Sequence, residues 1–277
     1  MKYNLSIFFY KLLLRVKKKM YLNSILKWSN NNLDTPKFII SFDFETQRDL
    51  NIIKTLTKKL NKANIRPFYA IPGELIEKNQ KVLESLGKKI VFINHGYKIH
   101  TKYCKENMKN YSSFSYVNEL DEVIFEDITK ADFVIKKILK QKSKIFRTPH
   151  FGEFCEKKNM NFIYKFISNL GYKISLSTTP IYSLIYQPIK IFQRITEIPC
   201  NAYIDNPRQI IDSWSIMHGK NIEISELIAE LNRYYNIMNN NNLILNVYFD
   251  PSDVINTDDF FTTISKFSKY QMKDIDF

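Results

Sequence analysis

From Lys37 onward, short apolar runs alternate with segments whose apolar residues recur at helical spacing. Phe38 to Phe42 reads as a buried strand, because a short apolar run with no helical period suits a strand covered on both faces. Asp49 then offers an N-cap to a helix whose apolar positions are Ile53, Leu56, Leu60 and Ala63. A strand over Phe68 to Ile71, a helix near Glu77 to Leu86 and a strand over Ile90 to Ile93 follow. After a polar, tyrosine-rich stretch from Thr101 to Asn118, the pattern resumes with a long helix ending near Gln141 and a strand over Lys144 to Phe146. Next are a helix around Asn159 to Leu170 and a strand over Lys173 to Leu176. A helix near Ile224 to Tyr235, a turn at Asn239 to Asn242, a strand from Leu243 to Phe249 and a helix near Thr257 to Phe267 complete it.

Strands that alternate with helices imply parallel βαβ units, hence an open doubly wound sheet or a barrel. No G-x-G-x-x-G follows the first strand, which removes the usual reason to choose a dinucleotide fold. The expected class is therefore α/β, a distorted or incomplete (β/α) barrel. Ser177 to Asp212 contains four prolines and reads as long loops over one end.

Composition changes this picture at the N-terminus. A chain of 277 residues with 44% apolar content has ample material for a core and is not a disordered protein. Its three cysteines, Cys104, Cys155 and Cys200, include no C-x-x-C pair, which argues against a secreted disulfide framework and points to a reducing, cytoplasmic setting. The net charge of +13 invites a nucleic-acid reading. Seven of those charges (Lys2, Lys11, Arg15, Lys17, Lys18, Lys19 and Lys27) fall in residues 1–27 with no acid, leaving +6 for the other 250 residues. The run Leu5 to Leu14 is too short to span a bilayer, which takes roughly 20 apolar residues. Phe, Leu, Lys and Arg together fit either an interfacial helix on the anionic inner membrane face or a terminal helix packed on the domain. The expected organisation is a basic amphipathic segment, 1–34, before a barrel domain, 35–277.

Candidate chemistry gathers where parallel α/β folds place it, just past the strand ends. The first strand runs into Ser41-Phe-Asp43-Phe-Glu45, and strand alternation points Asp43 and Glu45 to one face. Two adjacent carboxylates repel unless a metal or an arginine relieves them, although one could simply cap the next helix. The third strand leads into Asn94-His95-Gly96-Tyr97-Lys-Ile-His100, which holds two of only four histidines. Two His and a carboxylate are a common ligand set for catalytic zinc or a similar divalent ion. A later strand yields Phe146-Arg147-Thr-Pro149-His150-Phe-Gly152, where Arg147 is either a buried partner for a carboxylate or a surface arginine near a turn.

These three segments, in this order and roughly 50 residues apart, resemble the polysaccharide deacetylases with a NodB-type domain. The resemblance covers about residues 37 to 255. It implies a TIM-like (β/α) barrel of the NodB type and a hydrolase of carbohydrate metabolism, the metal-dependent removal of acyl groups from amino sugars. Carried over by position, it implies Asp43 as catalytic base and Glu45, His95 and His100 as metal ligands, with Arg147 orienting the base. The main-chain N–H of His150 takes the place of the oxyanion donor. Asp212 and Trp214 resemble an acid and a pocket tryptophan, and Tyr97 joins them as a substrate contact. Three positions depart from the family pattern. Phe44 stands where a metal Asp is usual, and Asp250 stands where the general-acid histidine is usual. His100 follows His95 by five residues instead of four, about 140° apart on a regular helix, so both reach one ion only from a loop or bulge.

The reading is hydrolysis of an amide, most simply N-acetyl, on an amino sugar in a polysaccharide or a lipid-linked glycan, as in cell-surface glycan biosynthesis. The proton for the leaving amine comes from Asp250, if its pKa is raised, or from the His150 side chain. Two other classes compete: a catalytically inactive sugar-binding relative, which the three departures would explain together, and a basic nucleic-acid binder, which the concentration of charge at one end disfavours.

Overall fold

The computed structural model describes residues 19–86, 90–107, 109–152, 157–214 and 223–272. Its main sheet contains β1 (Lys37–Asp43), β2 (Phe68–Ile71), β3 (Val91–Asn94), β6 (Ile145–Phe146), β7 (Ile174–Ser175), β8 (Lys190–Phe192), β9 (Ile195–Glu197) and β10 (Ile244–Phe249). Their order is β10-β1-β2-β3-β6-β7-β9-β8, with every pair parallel except the edge pair β8 and β9. A separate antiparallel hairpin joins β4 (Thr101–Cys104) to β5 (Lys109–Ser112).

Period-two alternation along β1 divides the molecule. Phe38, Ile40 and Phe42 face outward into a large core with Leu56 and Leu60 of a flanking helix, whereas Ile39 faces a smaller core with Phe68, Ile93, Ile145, Ile174 and Ile244. That inner layer draws one residue from each of six strands, so the sheet wraps around it as an incomplete barrel. The curl brings β10 back toward the chain that leaves β9. Asn201 and Asn246 bridge the gap: Asn201 N–H donates to Asn246 O (2.9 Å), Asn246 N–H to Asn201 Oδ1 (2.7 Å), and Asn246 Nδ2 to Ile198 O (2.9 Å).

The helices are α1 (Lys19–Asn32), α2 (Gln47–Asn51), α3 (Ile53–Lys62), α4 (Gly73–Lys78), α5 (Gln80–Ser85), α6 (Asp121–Leu139), α7 (Lys157–Asn169), α8 (Ile181–Tyr186), α9 (Ile224–Met238), α10 (Pro251–Val254) and α11 (Asp258–Ser265). Several differ from the sequence expectation for local reasons. Thr46, in extended backbone, holds the N-cap position of α2, and Asp49 sits three residues on, accepting the Thr46 N–H at 3.0 Å. Asn79 interrupts the helix expected over Glu77 to Leu86; its side chain donates to Leu75 O at 2.9 Å, competing with the helical ladder. The polar, tyrosine-rich stretch from Thr101 to Asn118 forms the β4–β5 hairpin, and the proline-containing stretch, expected as long loops, holds α8, β8 and β9.

Helix α1 also alters the expected division at residue 34. Tyr21, Ile25 and Ser29 recur every four residues on one buried face, and the first two lie in the same core as β1 and α9. The Tyr21 hydroxyl accepts the Ala202 N–H at 3.0 Å. Residues 19–32 are thus part of the barrel unit, and residues 1–18 lie outside the described residues. No helix among the described residues is long and apolar enough to cross a membrane.

Candidate active site

The strand ends converge as the spacing implies. Ser41 and Asp43 continue the inward face of β1, Glu45 follows two residues later, His95 follows β3, and Arg147 follows β6. Arg147 is fully buried, which settles its placement against the surface alternative. A buried guanidinium is tolerated only when its donors are used. Nη1 pairs with Asp43 Oδ1, Nη2 donates to Ser41 Oγ at 2.7 Å, and Nε donates to Leu176 O at 3.1 Å. Burial pushes the Asp43 carboxyl above its ordinary value, with the Arg147 charge opposing that rise. The result is a fixed carboxyl more basic than one in water.

Beside it, Glu45, His95 and His100 place one ligand atom each within 4.8 Å of one another. The His95 Nδ1 lies 3.1 Å from Arg147 O; a carbonyl only accepts, so Nδ1 carries the proton and Nε2 keeps its lone pair. That Nε2 is buried without a hydrogen-bond partner, 3.7 Å from Glu45 Oε1. The His100 Nε2 lies 2.8 Å from Glu45 Oε2 but out of line for a hydrogen bond. Thr101 Oγ1 donates to the same Oε2 at 2.5 Å. Burial opposes ionisation of Glu45, but His100 and His95 together hold its carboxyl well below the ordinary range. The His100 imidazole is lowered by burial and raised more by Glu45, so its net shift is upward. Two neutral-capable imidazoles and a carboxylate, converging with an orphaned buried nitrogen, fit a divalent cation such as zinc. A cation must displace the His100 proton, so affinity falls with pH.

The five-residue histidine spacing works because residues 95–100 form a loop. Gly96 has φ +74°, and a Cβ there would stand 2.5 Å from Asp127 Oδ2 and 2.8 Å from the Tyr116 hydroxyl, so only glycine suits the turn. Asp127, from α6, clamps this loop by accepting the N–H groups of Tyr97 (2.9 Å) and Lys98 (2.8 Å) and the Tyr116 hydroxyl (2.8 Å). Sequence reasoning missed Asp127, since nothing local marks an acid in a long amphipathic helix. Phe44 stands apart from the ligands, buried in the outer core 4.7 Å from the Tyr69 ring.

Asp43 and Glu45 open onto a cavity of about 360 Å³. Asp43, Glu45, Asp212 and Asp250 give it an acidic floor. Phe151 and Tyr248, stacked at 4.2 Å, and Trp214 supply aromatic surface. The Tyr248 hydroxyl donates to Asp212 Oδ2 at 3.3 Å. The hairpin contributes Thr101 and Ser112, and a later loop contributes Arg208 and Gln209. Of these, Phe151 sits inside the quoted segment from Phe146 to Gly152 and Tyr248 inside the strand expected from Leu243 to Phe249, so both were findable; the hairpin and loop residues carry no sequence signal. His150 lines the cavity in left-handed backbone (φ +56°), its Nε2 at 3.0 Å from both Ser112 Oγ and Phe114 O. Tyr97 is not brought to this cavity: its hydroxyl donates to Glu77 at 2.7 Å and the Lys130 ammonium lies 3.7 Å over its ring.

Asp250 is buried with Oδ2 unpartnered, and burial, followed by the Asp253 and Glu45 charges, pushes its carboxyl well above the ordinary value. Its N–H donates to Ser213 Oγ at 2.7 Å. Asp253 behind it is pushed up to about 7 by burial and by Asp49.

No family model matches the sequence, and no curated protein matches it. Solved structures do. A Mycobacterium smegmatis protein assigned as a polysaccharide deacetylase superposes with a TM-score of 0.61 at 11% identity, over 86% of this chain and 87% of that one. A CE4 family pseudoenzyme from Bacillus anthracis gives 0.52 at 12% identity, over 86% of this chain and 63% of the other. A family 4 carbohydrate esterase from Streptomyces lividans, solved with acetate, gives 0.50 at 12%, over 85% and 87%. Likeness at these identities establishes architecture alone, and the architecture is that of the NodB-type polysaccharide deacetylases.

Proposed function

We propose that the protein is a metal-dependent hydrolase that removes an acyl group, N-acetyl in the simplest case, from an amino sugar in a polysaccharide or lipid-linked glycan. The observation that carries this is the juxtaposition of the buried Asp43–Arg147 pair with the converging Glu45, His95 and His100, of which Asp43 and Glu45 line one cavity. A divalent ion held by those three residues, zinc by the donor set, would polarise the acyl oxygen and acidify its water. Asp43, held in place by Arg147 and made more basic by burial, takes the proton of the attacking water. The resemblance assigns the main-chain N–H of His150 to the charge developing on the acyl oxygen. Asp250 supports the role of proton donor to the leaving nitrogen, since burial pushes its carboxyl well above the ordinary value and Oδ2 has no competing partner. The His150 ring suits that role less, because its Nε2 is engaged by Ser112 and Phe114.

A second reading, an inactive sugar-binding protein, draws on Phe44, which occupies the usual position of a metal-binding Asp and is committed to the core. The Bacillus anthracis pseudoenzyme shows that this fold occurs without activity. Acetate release from an N-acetylated β-1,4-glucosamine tetramer by zinc-loaded protein, with metal content measured in parallel, separates the two. Release abolished by His95→Ala together with loss of the metal is the expected result. Full metal occupancy in His95→Ala overturns the site, and a metal-loaded protein that releases no acetate from acetylated amino sugars overturns the enzyme.

A further inference from the structure

Beyond the loop that supplies Gln209 lies a second cavity of about 620 Å³, and Gln209 lines both. The dividing loop is a tight hairpin: Ala202 bridges Ile210, and Tyr203 N–H donates to Gln209 O at 3.0 Å. Its base is clamped by two tyrosines, the Tyr21 hydroxyl accepting the Ala202 N–H and the Tyr234 hydroxyl donating to Ala202 O at 2.6 Å.

Chemically the second cavity differs from the first. Asp205, Glu226 and Glu230 face it against a single cation, Arg233, which pairs with Asp205 (2.8 Å) and Glu230 (2.9 Å). Glu230 is also spent on the Ile204 N–H at 2.5 Å. Glu226, exposed on α9, has no ion-pair partner among the described residues. Independently of these acids, two polar groups in the wall are orphaned. The Tyr203 hydroxyl and Gln209 Nε2 are buried without a hydrogen-bond partner, and their residues are only 9% and 4% exposed. A buried donor left without a partner is costly, and a ligand hydroxyl that reaches it recovers that cost.

We propose that this cavity is a subsite for an amino-sugar unit bearing a free amine, next to the unit whose acyl group is removed. An uncompensated carboxylate beside neutral hydrogen-bonding groups suits a hydroxyl-rich ring with an ammonium, and an N-acetylated unit offers no such cation. The subsite would hold a glycan that is already partly deacetylated, and in that sense the inference rests on the proposed deacetylase reading.

The test is calorimetric binding at pH 6 and low salt, on zinc-loaded protein, of three tetramers: β-1,4-glucosamine, its fully N-acetylated form and cellotetraose. The glucosamine tetramer is expected to bind about tenfold more tightly than cellotetraose, the equivalent of about 1.4 kcal/mol. Glu226→Gln should remove most of that preference and its salt dependence. Tyr203→Phe should weaken the glucosamine tetramer without lowering Tm, because a hydroxyl with no partner adds nothing to folding. Equal binding of the glucosamine and glucose tetramers overturns the subsite, as does a preference that survives Glu226→Gln. An amine preference without acetate release removes the deacetylase reading and leaves the subsite standing, whereas acetate release without the preference does the reverse.

Discussion

Asp43 and Arg147 lie 104 positions apart, and the pair is worth making only because both are dry. A buried charge left alone costs several kcal/mol, so neither residue would be retained without the other. Asp43→Asn keeps the shape and a hydrogen-bond acceptor for Arg147 but removes the proton acceptor. The expected outcome is turnover lowered by about 10²–10⁴-fold with zinc content unchanged, read from acetate release beside metal analysis. Unchanged turnover would remove the base role. The acids behind the site make a separate claim through stability. Asp253 sits at about 7 in the fold, against an ordinary 3.8, because of burial first and the Asp49 charge next. Its folded value is raised, so between these limits the folded chain binds more protons than the unfolded one. Its contribution to stability is complete below about pH 3.8 and is lost as pH rises through about 7. Asp253→Asn should therefore raise Tm at pH 8 by a few degrees, about 2–4 °C per kcal/mol for a domain of this size, and leave it nearly unchanged at pH 4. A thermal melt series across pH checks this, and equal shifts at both ends would show that the group is not titrating in this range.

At the scale of elements, legibility followed how apolar each run is. β1, β2 and β10 are apolar over four or more positions with both faces covered, so their runs stand out in the sequence. The hairpin strands, Thr-Lys-Tyr-Cys and Lys-Asn-Tyr-Ser, are mostly polar, and β8 and β9 are three residues each and include polar ones, so no apolar run marks them. The strand-end residues Asp43, Glu45, His95 and Arg147 were legible because parallel topology itself sends strand ends to one rim. His100 required a loop that depends on Gly96 and on Asp127 from α6, a tertiary contact that no local pattern encodes. This dependence is testable. Asp127→Ala strips the acceptor from two main-chain N–H groups between the two histidines while leaving all three ligands intact. Zinc affinity should fall by about 10–100-fold, the range for lost supporting contacts, as measured by competition with a chromophoric chelator. Unaltered affinity would mean that the metal itself orders the loop.

For the whole molecule, the uneven placement of charge meets a fold that has absorbed part of the basic segment. Lys19–Asn32 is a core helix with Lys19 and Lys27 exposed on it, and the chain before it carries Lys2, Lys11, Arg15, Lys17 and Lys18, interleaved with Phe8, Phe9 and Leu12 to Leu14. Five basic residues near an anionic bilayer contribute about 1 kcal/mol each, and buried apolar side chains add to that, enough for reversible attachment. On this basis we propose a peripheral place on the inner membrane face, where the substrate of the proposed reaction would be a lipid-linked glycan. The experiment compares sedimentation with vesicles containing phosphatidylserine for the full chain, a chain starting at Lys19 and a chain starting at Leu33. The full chain should sediment, and should be released by salt as screening weakens the attraction. The chain from Lys19 should stay in the supernatant with an unchanged thermal melt, because the core helix is retained. The chain from Leu33 loses Tyr21 and Ile25 from the core and the acceptor for the Ala202 N–H, so it should unfold or melt far lower. Equal sedimentation of the full chain and the chain from Lys19 would refute the membrane role of residues 1–18. A chain from Leu33 as stable as the full one would refute the structural role of α1, so the two functions of the N-terminal segment stand or fall separately.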